Sequence, residues 1–286
     1  MKKNSSITKP DAIDVTRWDG GSVIMSNALS AGVHRLNLEG KQSLCLAMAQ
    51  IDAGKATTDD RGALCVEFIA QEFHEYYPVS EHHVYERMKD GVDNILKAKV
   101  SFMDGNEKVH WPWVMEARYI DGEGRIAIEF NPKLTPHITR EMSKMGGYTL
   151  YKLKAVSPLS FYPWKIYEIL SQYRSTGWHE MELDDLHERL GTPPTYRKDF
   201  FKFKEKVLNN AAKELLEKSK VALTFEAIRT YGRRYKKIKF TFQDVFTAQE
   251  EAEKAIKQAQ TQAIQPINNV APPPAKNGKR EAIAWL

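Results

Sequence analysis

Lys198, Lys202, Lys206 and Asn209 follow one another at spacings of four, four and three, so on a helix they share one face. A lysine ammonium donates to guanine O6 and N7, and an asparagine amide pairs with adenine, so this face has the chemistry of base reading. Lys213 extends it, Arg197 stands at its start, and Glu205 is the only acid beside it. On the opposite side of the same stretch, residues 195–218, lie Phe203, Val207, Leu208, Ala211 and Leu215. That is the apolar stripe of one helix packed on a core. A solvated face would mix both signs, because Glu–Lys pairs four residues apart stabilise a helix.

Residues 181–190 read as a short helix that Gly191 ends, and Pro193 and Pro194 force a turn before the basic helix. Two helices joined by a tight turn can set the second in a major groove. Downstream, VALTFEAIRT and YKKIKFTF read as strands of a β-hairpin around Tyr231-Gly232-Arg233-Arg234. Helix-turn-helix plus hairpin is a winged helix. Arg229, Arg233, Arg234, Lys236, Lys237 and Lys239 on the wing suit phosphate contacts. From Tyr196 to Lys239 there are fourteen Lys/Arg and five Asp/Glu, a local charge of +9, whereas the whole chain is +5 and the remainder therefore −4. Positive charge is concentrated where the reading geometry lies, which favours binding to double-stranded DNA.

A length of 286 residues and 42% hydrophobic content allow two globular domains. No run approaches the roughly 18 apolar residues of a membrane span, and the N-terminus lacks a secretory apolar core. Cys45 and Cys65 sit in apolar runs and read as reduced core thiols, so a cytoplasmic protein without membrane contact is expected.

The first half repeats the order of parts of the second. Helices are expected over 38–51 and from an N-cap at Ser80 to Lys97, with strands at 100–103, 109–119 and 125–130. An offset of 120 superposes Met88 on Leu208 and Ile95 on Leu215; the later strands need about 112, which implies a shorter second wing. The expected class is therefore α+β, two tandem winged helices related by internal duplication, with a mobile C-terminal tail. The divisions are a flexible N-terminus (1–22), a first winged helix for docking and dimerisation (23–145), a linker (146–158), a second winged helix as main DNA reader (159–246), and a helical then disordered tail (247–286). The long helix of the first half carries Glu86, Asp90 and Asp93 on its outer face, so only its start, with His82, His83 and Arg87, suits DNA phosphates.

Residues 23–246 resemble the replication initiators of iteron-carrying, theta-replicating bacterial plasmids. The resemblance is carried by Leu159, Trp164 to Leu170, Leu183 to Leu186, Leu190-Gly191, Phe200, Phe203-Lys204, Lys206 to Leu208, Glu214-Leu215 and Ile238 to Phe242. Ser26 to Leu29, a helical block near Lys41, and Phe130 to Leu134 add to it. It implies two winged helices that bind directly repeated origin sites. It also implies a dimer that represses its own gene, and as partners the host initiator ATPase and the replicative helicase.

No catalytic, metal or cofactor set emerges. There is no G-x-x-x-x-G-K-[ST] for a nucleotide triphosphate. Adjacent His82 and His83 point about 100° apart on a helix and do not pinch one metal, and Tyr76 and Tyr77 lack a base to make them nucleophiles. Trp111 and Trp113 in one strand read as packing rather than base stacking. Two alternatives stay open: a winged-helix transcriptional repressor without an initiator role, and a nicking initiator enzyme.

Overall fold

The structure is a computed structural model; it describes residues 21–120, 122–140, 147–229 and 234–245. The expected flexible N-terminus (all but residues 21 and 22) and the whole 247–286 tail lie outside these residues.

Strand β1 (Ser22–Ser26) leads into helix α1 (Leu38–Asp52), whose N-cap Asn37 accepts from the Gly40 amide at 2.8 Å. Every residue of α1 from Gly40 to Gln50 is buried, so this helix is a core rod rather than an amphipathic cover. Then come β2 (Leu64–Ile69), α2 (Ala70–Tyr76) and the long helix α3 (Val84–Lys97). A hairpin follows, β3 (Lys99–Asp104) with β4 (Glu107–Pro112), and then the wing strands β5 (Val114–Ile120) and β6 (Arg125–Phe130). The strand expected over 109–119 is thus two strands in different sheets. They part at Trp113, which is fully buried, so its ring packs in the core.

The second half holds β7 (Tyr148–Lys152), α4 (Phe161–Ser171), β8 (Trp178–Glu182) and α5 (Leu183–Leu190). A long helix α6 over 200–219 follows, then β9 (Val221–Ile228) and β10 (Lys237–Asp244). The wing sheets have the same order, β2–β6–β5 and β8–β10–β9, all antiparallel. Registers agree as well: Arg125 faces Ile69 and Ile120, and Lys237 faces Glu182 and Ile228. Met88 and Leu208, Gly91 and Ala211, and Ile95 and Leu215 are buried pairs at the offset of 120. These are two winged helices in tandem, and the duplication is real at the level of topology.

The reason expected for the smaller strand offset is wrong. Four residues separate β5 from β6 and eight separate β9 from β10, so the second wing has the longer connection. What shortens the second half is the β3–β4 hairpin, which only the first half places between long helix and wing.

Residues 148–156, inside the span read as a linker, form β7 and a helical turn. β7 pairs with β1 from Ser22 opposite Lys152 to Ser26 opposite Tyr148, and Leu153, Ala155 and Val156 are buried. One continuous apolar core runs through both winged helices.

Candidate nucleic-acid interface

The turn before α6 is built as its sequence demands. Gly191 closes α5 at φ 65°, a left-handed position that costs glycine little, and Pro194 opens a short helix ending at Lys198. The stretch read as one helix over 195–218 breaks at Asp199, whose φ of −125° and ψ of 95° are extended. Its carboxylate caps α6 by accepting from the Lys202 amide at 3.0 Å. Lys198 and Arg197 therefore stand on the turn ahead of α6, separate from the lysines they were grouped with.

Phe203, Val207, Leu208, Ala211 and Leu215 are all 0% exposed and bolt α6 to the core. Lys202, Lys206, Asn209 and Lys213 face solvent beside the bare ring of Phe201. Two π-type stretches, Lys204–Asn209 and Leu215–Ser219, widen the helix under this face. Sequence periodicity has no signature for that widening, and it also did not single out Phe201 as an exposed aromatic.

At the wing, Arg229 lies over the Tyr235 ring at 4.5 Å and donates to its hydroxyl at 3.0 Å. Tyr235 in turn meets Phe200 at 4.2 Å, which ties the wing to the start of α6. Arg234 and Lys236 are exposed, whereas Arg233 lies outside the described residues. Lys237 and Lys239 are already engaged. Lys237 pairs with Glu180 at 3.0 Å and Glu182 at 3.6 Å, and Lys239 sits over the Trp178 ring at 5.3 Å.

In the first half, His82 and His83 occupy a 3-10 turn ahead of α3, and Ser80 makes no side-chain cap. His83 contacts Glu86 at 3.3 Å and Arg87 pairs with Glu39 at 3.1 Å. Glu86, Asp90 and the half-buried Asp93, hydrogen-bonded by Tyr119, leave the outer face acidic. Among the described residues no three His, Cys, Asp or Glu side chains converge to hold a metal, and no helix is long and apolar enough to cross a membrane.

Periodicity also missed a buried polar cluster joining the halves. Lys41 on α1 donates to Glu168 on α4, and Tyr151 on β7 donates to the same carboxylate oxygen at 2.8 Å. Burial pushes the Glu168 carboxyl up, but Lys41, His34 and Lys165 outweigh it and hold it at about 2. Burial and the charge of Lys165 press His34 down to about 3, and burial lifts the Cys45 thiol to about 11. The charged pair inside the otherwise apolar WKIYEIL run was the available signal.

Two family models match the chain. That of the first winged-helix domain of Initiator Replication protein, Rep3_N, matches residues 22–171, and that of the second, Rep3_C, matches 182–242. An uncharacterised 27.6 kDa protein of Escherichia coli is 26% identical over 207 residues, 69% of this chain and 85% of its own length. Among solved structures, the Pi initiator protein in complex with iteron DNA superposes with a TM-score of 0.65 at 22% identity, over 78% of this chain and 96% of its own. That likeness carries the fold, and the two family models carry the kinship. With two winged helices in one core and both family models matched along it, the chain belongs to the Rep3 family of replication initiator proteins.

Proposed function

We propose that this chain starts plasmid replication by binding directly repeated double-stranded sites at an origin, as a cytoplasmic protein without catalytic activity of its own. The observation that carries this reading is the exposed face of α6, where Lys202, Lys206, Asn209 and Lys213 project from a helix fixed by five fully buried side chains. Lys202, Lys206 and Asn209 read base edges, with Lys198 reaching in from the preceding turn. Arg197, Lys213, Arg229, Arg233, Arg234, Lys236, Lys237 and Lys239 supply phosphate contacts, and His82, His83 and Arg87 a lighter set from the first half. A second copy of the chain forms an autorepressing dimer, and the host initiator ATPase and replicative helicase are the partners of initiation. The first winged helix (23–145) docks and the second (159–246) dominates DNA reading. Quantitative binding to a duplex of tandem repeats taken from beside the coding region, against a shuffled duplex, tests the reading. Equal affinity for both sinks it.

A further inference from the structure

At the seam between the winged helices a cleft of about 520 Å³ opens, where the loop before α1 meets the first turns of α4 and the turn after α5. Four cations line it, Arg35, Lys165, Arg189 and Arg197, against the single carboxylate of Glu188. None of the four joins an ion pair among the described residues. Elsewhere Arg61, Arg87, Arg118, Arg125 and Arg140 are all bridged to carboxylates.

Arg35 and Arg197 are exposed, but part of this charge lies out of solvent. Lys165 is only 6% exposed, and its ammonium lies 5.9 Å from the Phe161 ring. Burial, followed by the nearby Lys41, lowers it to about 8 against the pull of Glu168, whose carboxylate already bonds Lys41. The Nη1 of Arg189 is buried with no hydrogen-bond partner among the described residues. Arg35 is held at φ 48°, a left-handed conformation that a side-chain-bearing residue seldom takes. The nearby Val33 is pinned by backbone bonds to Ser101 at 2.8 and 3.0 Å.

The duplication supplies an internal comparison. The corresponding corner of the first half, between the start of α1 and the turn before α3, is lined by Glu39, Glu86 and Asp90. Its Arg87 is neutralised by Glu39 at 3.1 Å. One corner is net acidic and pairs its arginine; the other gathers cations around a cavity. A buried lysine that shares its carboxylate with another lysine and a buried guanidinium nitrogen left without a hydrogen bond are both costly, and a bound anion lowers that cost.

We propose that this cleft is a phosphate site, in which the Arg35 and Arg189 guanidinium forks and the Lys165 ammonium clasp one phosphate group. The phosphate comes from the duplex backbone between the two winged helices, a source that rests on the proposed DNA binding, or from a free nucleotide, which a cleft of this size also admits.

Two measurements on the full chain separate these sources, each made on wild type, Lys165→Met, Arg189→Met and Arg35→Asn. Asparagine tolerates the left-handed backbone, and Arg35 is exposed, so its variant folds even if a buried one does not. If the source is free, pyrophosphate without DNA raises the wild-type melting temperature by roughly 5–10 °C at about a hundredfold above its Kd. The shift vanishes in the variants and persists in Lys202→Ala. If the source is DNA, pyrophosphate does nothing, and the log–log salt slope of repeat binding falls by about 0.9 in each variant. No pyrophosphate shift together with an unchanged slope overturns the site. Should wild type bind no repeat duplex, the DNA-binding reading fails, and the pyrophosphate measurement alone then decides for or against the cleft.

Discussion

Lys41 Nζ lies 2.5 Å from Glu168 Oε2, each side chain 3% exposed, although the two stand 127 positions apart in sequence. One belongs to the central helix of the first winged helix and the other to that of the second. A buried pair adds little net stability, but removing one partner strands a charge in the core. Glu168→Gln should therefore cost about 3–5 kcal/mol in urea unfolding. Lys41→Met with Glu168→Met should recover most of that loss. A double variant no better than the single one would show that packing, and not charge, joins the halves here.

The same cluster sets an acid limit. Glu168 is lowered from 4.5 to about 2, so its stabilisation is complete above pH 4.5 and is lost as pH falls toward 2. His34 is lowered from 6.5 to about 3: it is neutral when folded, and stability declines as pH drops below 6.5 toward 3. His179 and His187, each lowered to about 4, act in the same direction. Unfolding free energy should fall between pH 6.5 and 4.5 by up to about 1.4 kcal/mol per pH unit for each such histidine. His34→Gln keeps a donor for the Leu29 carbonyl and should flatten that decline by one proton's worth; an unchanged slope would mean that His34 does not titrate on unfolding.

On α6, Lys202→Ala and Lys206→Ala should each weaken repeat binding by about 1–3 kcal/mol while random-duplex binding changes much less. Equal losses on both duplexes would place these lysines on phosphates instead of bases.

The sequence made the two winged helices legible because their cores obey periodicity: Met88, Ile95, Leu208 and Leu215 mark faces that local spacing reveals. It hid what depends on contacts between distant segments. Nothing near Lys41 announces Glu168, and nothing in YTLYK announces that β7 pairs with β1 across the whole first half. The break at Asp199 was hidden for a different reason, because the basic spacing ran straight through an N-cap. The origin of the offset was misjudged because a hairpin inserted in one half and a wing shortened in the other leave the same gap in an alignment.

For the wing, replacing Arg233 and Arg234 together with alanine should lower affinity on every sequence and reduce the salt slope by roughly 0.9 per lost phosphate contact. Arg229→Ala combines such a loss with the loss of the Tyr235 stack, so it should also loosen the wing from Phe200. A slope unmoved in the double variant would take the wing off the DNA.

The last expectation follows from the shared core. Cutting the chain at 145 or 155 would separate β1 from β7 or strip the helical turn after it, so isolated halves are poor probes of the DNA geometry. The full chain is the better one. With α3 and α6 held in one body, the two long helices can meet successive major grooves only at a fixed separation, and one monomer should protect about two turns, roughly 20 base pairs. The site needs no palindrome, since α3 offers acids and α6 offers lysines. Inserting about 5 base pairs, half a turn, between the two half-sites should rotate one groove to the far side and remove the first half's contribution. An insertion of about 10 should restore the face but not the distance, so affinity should stay at the level that α6 and its wing alone provide. Footprints and binding curves on the three spacings test this; equal affinity on the original and half-turn spacings, with both half-sites protected, would mean that the two winged helices move independently on DNA.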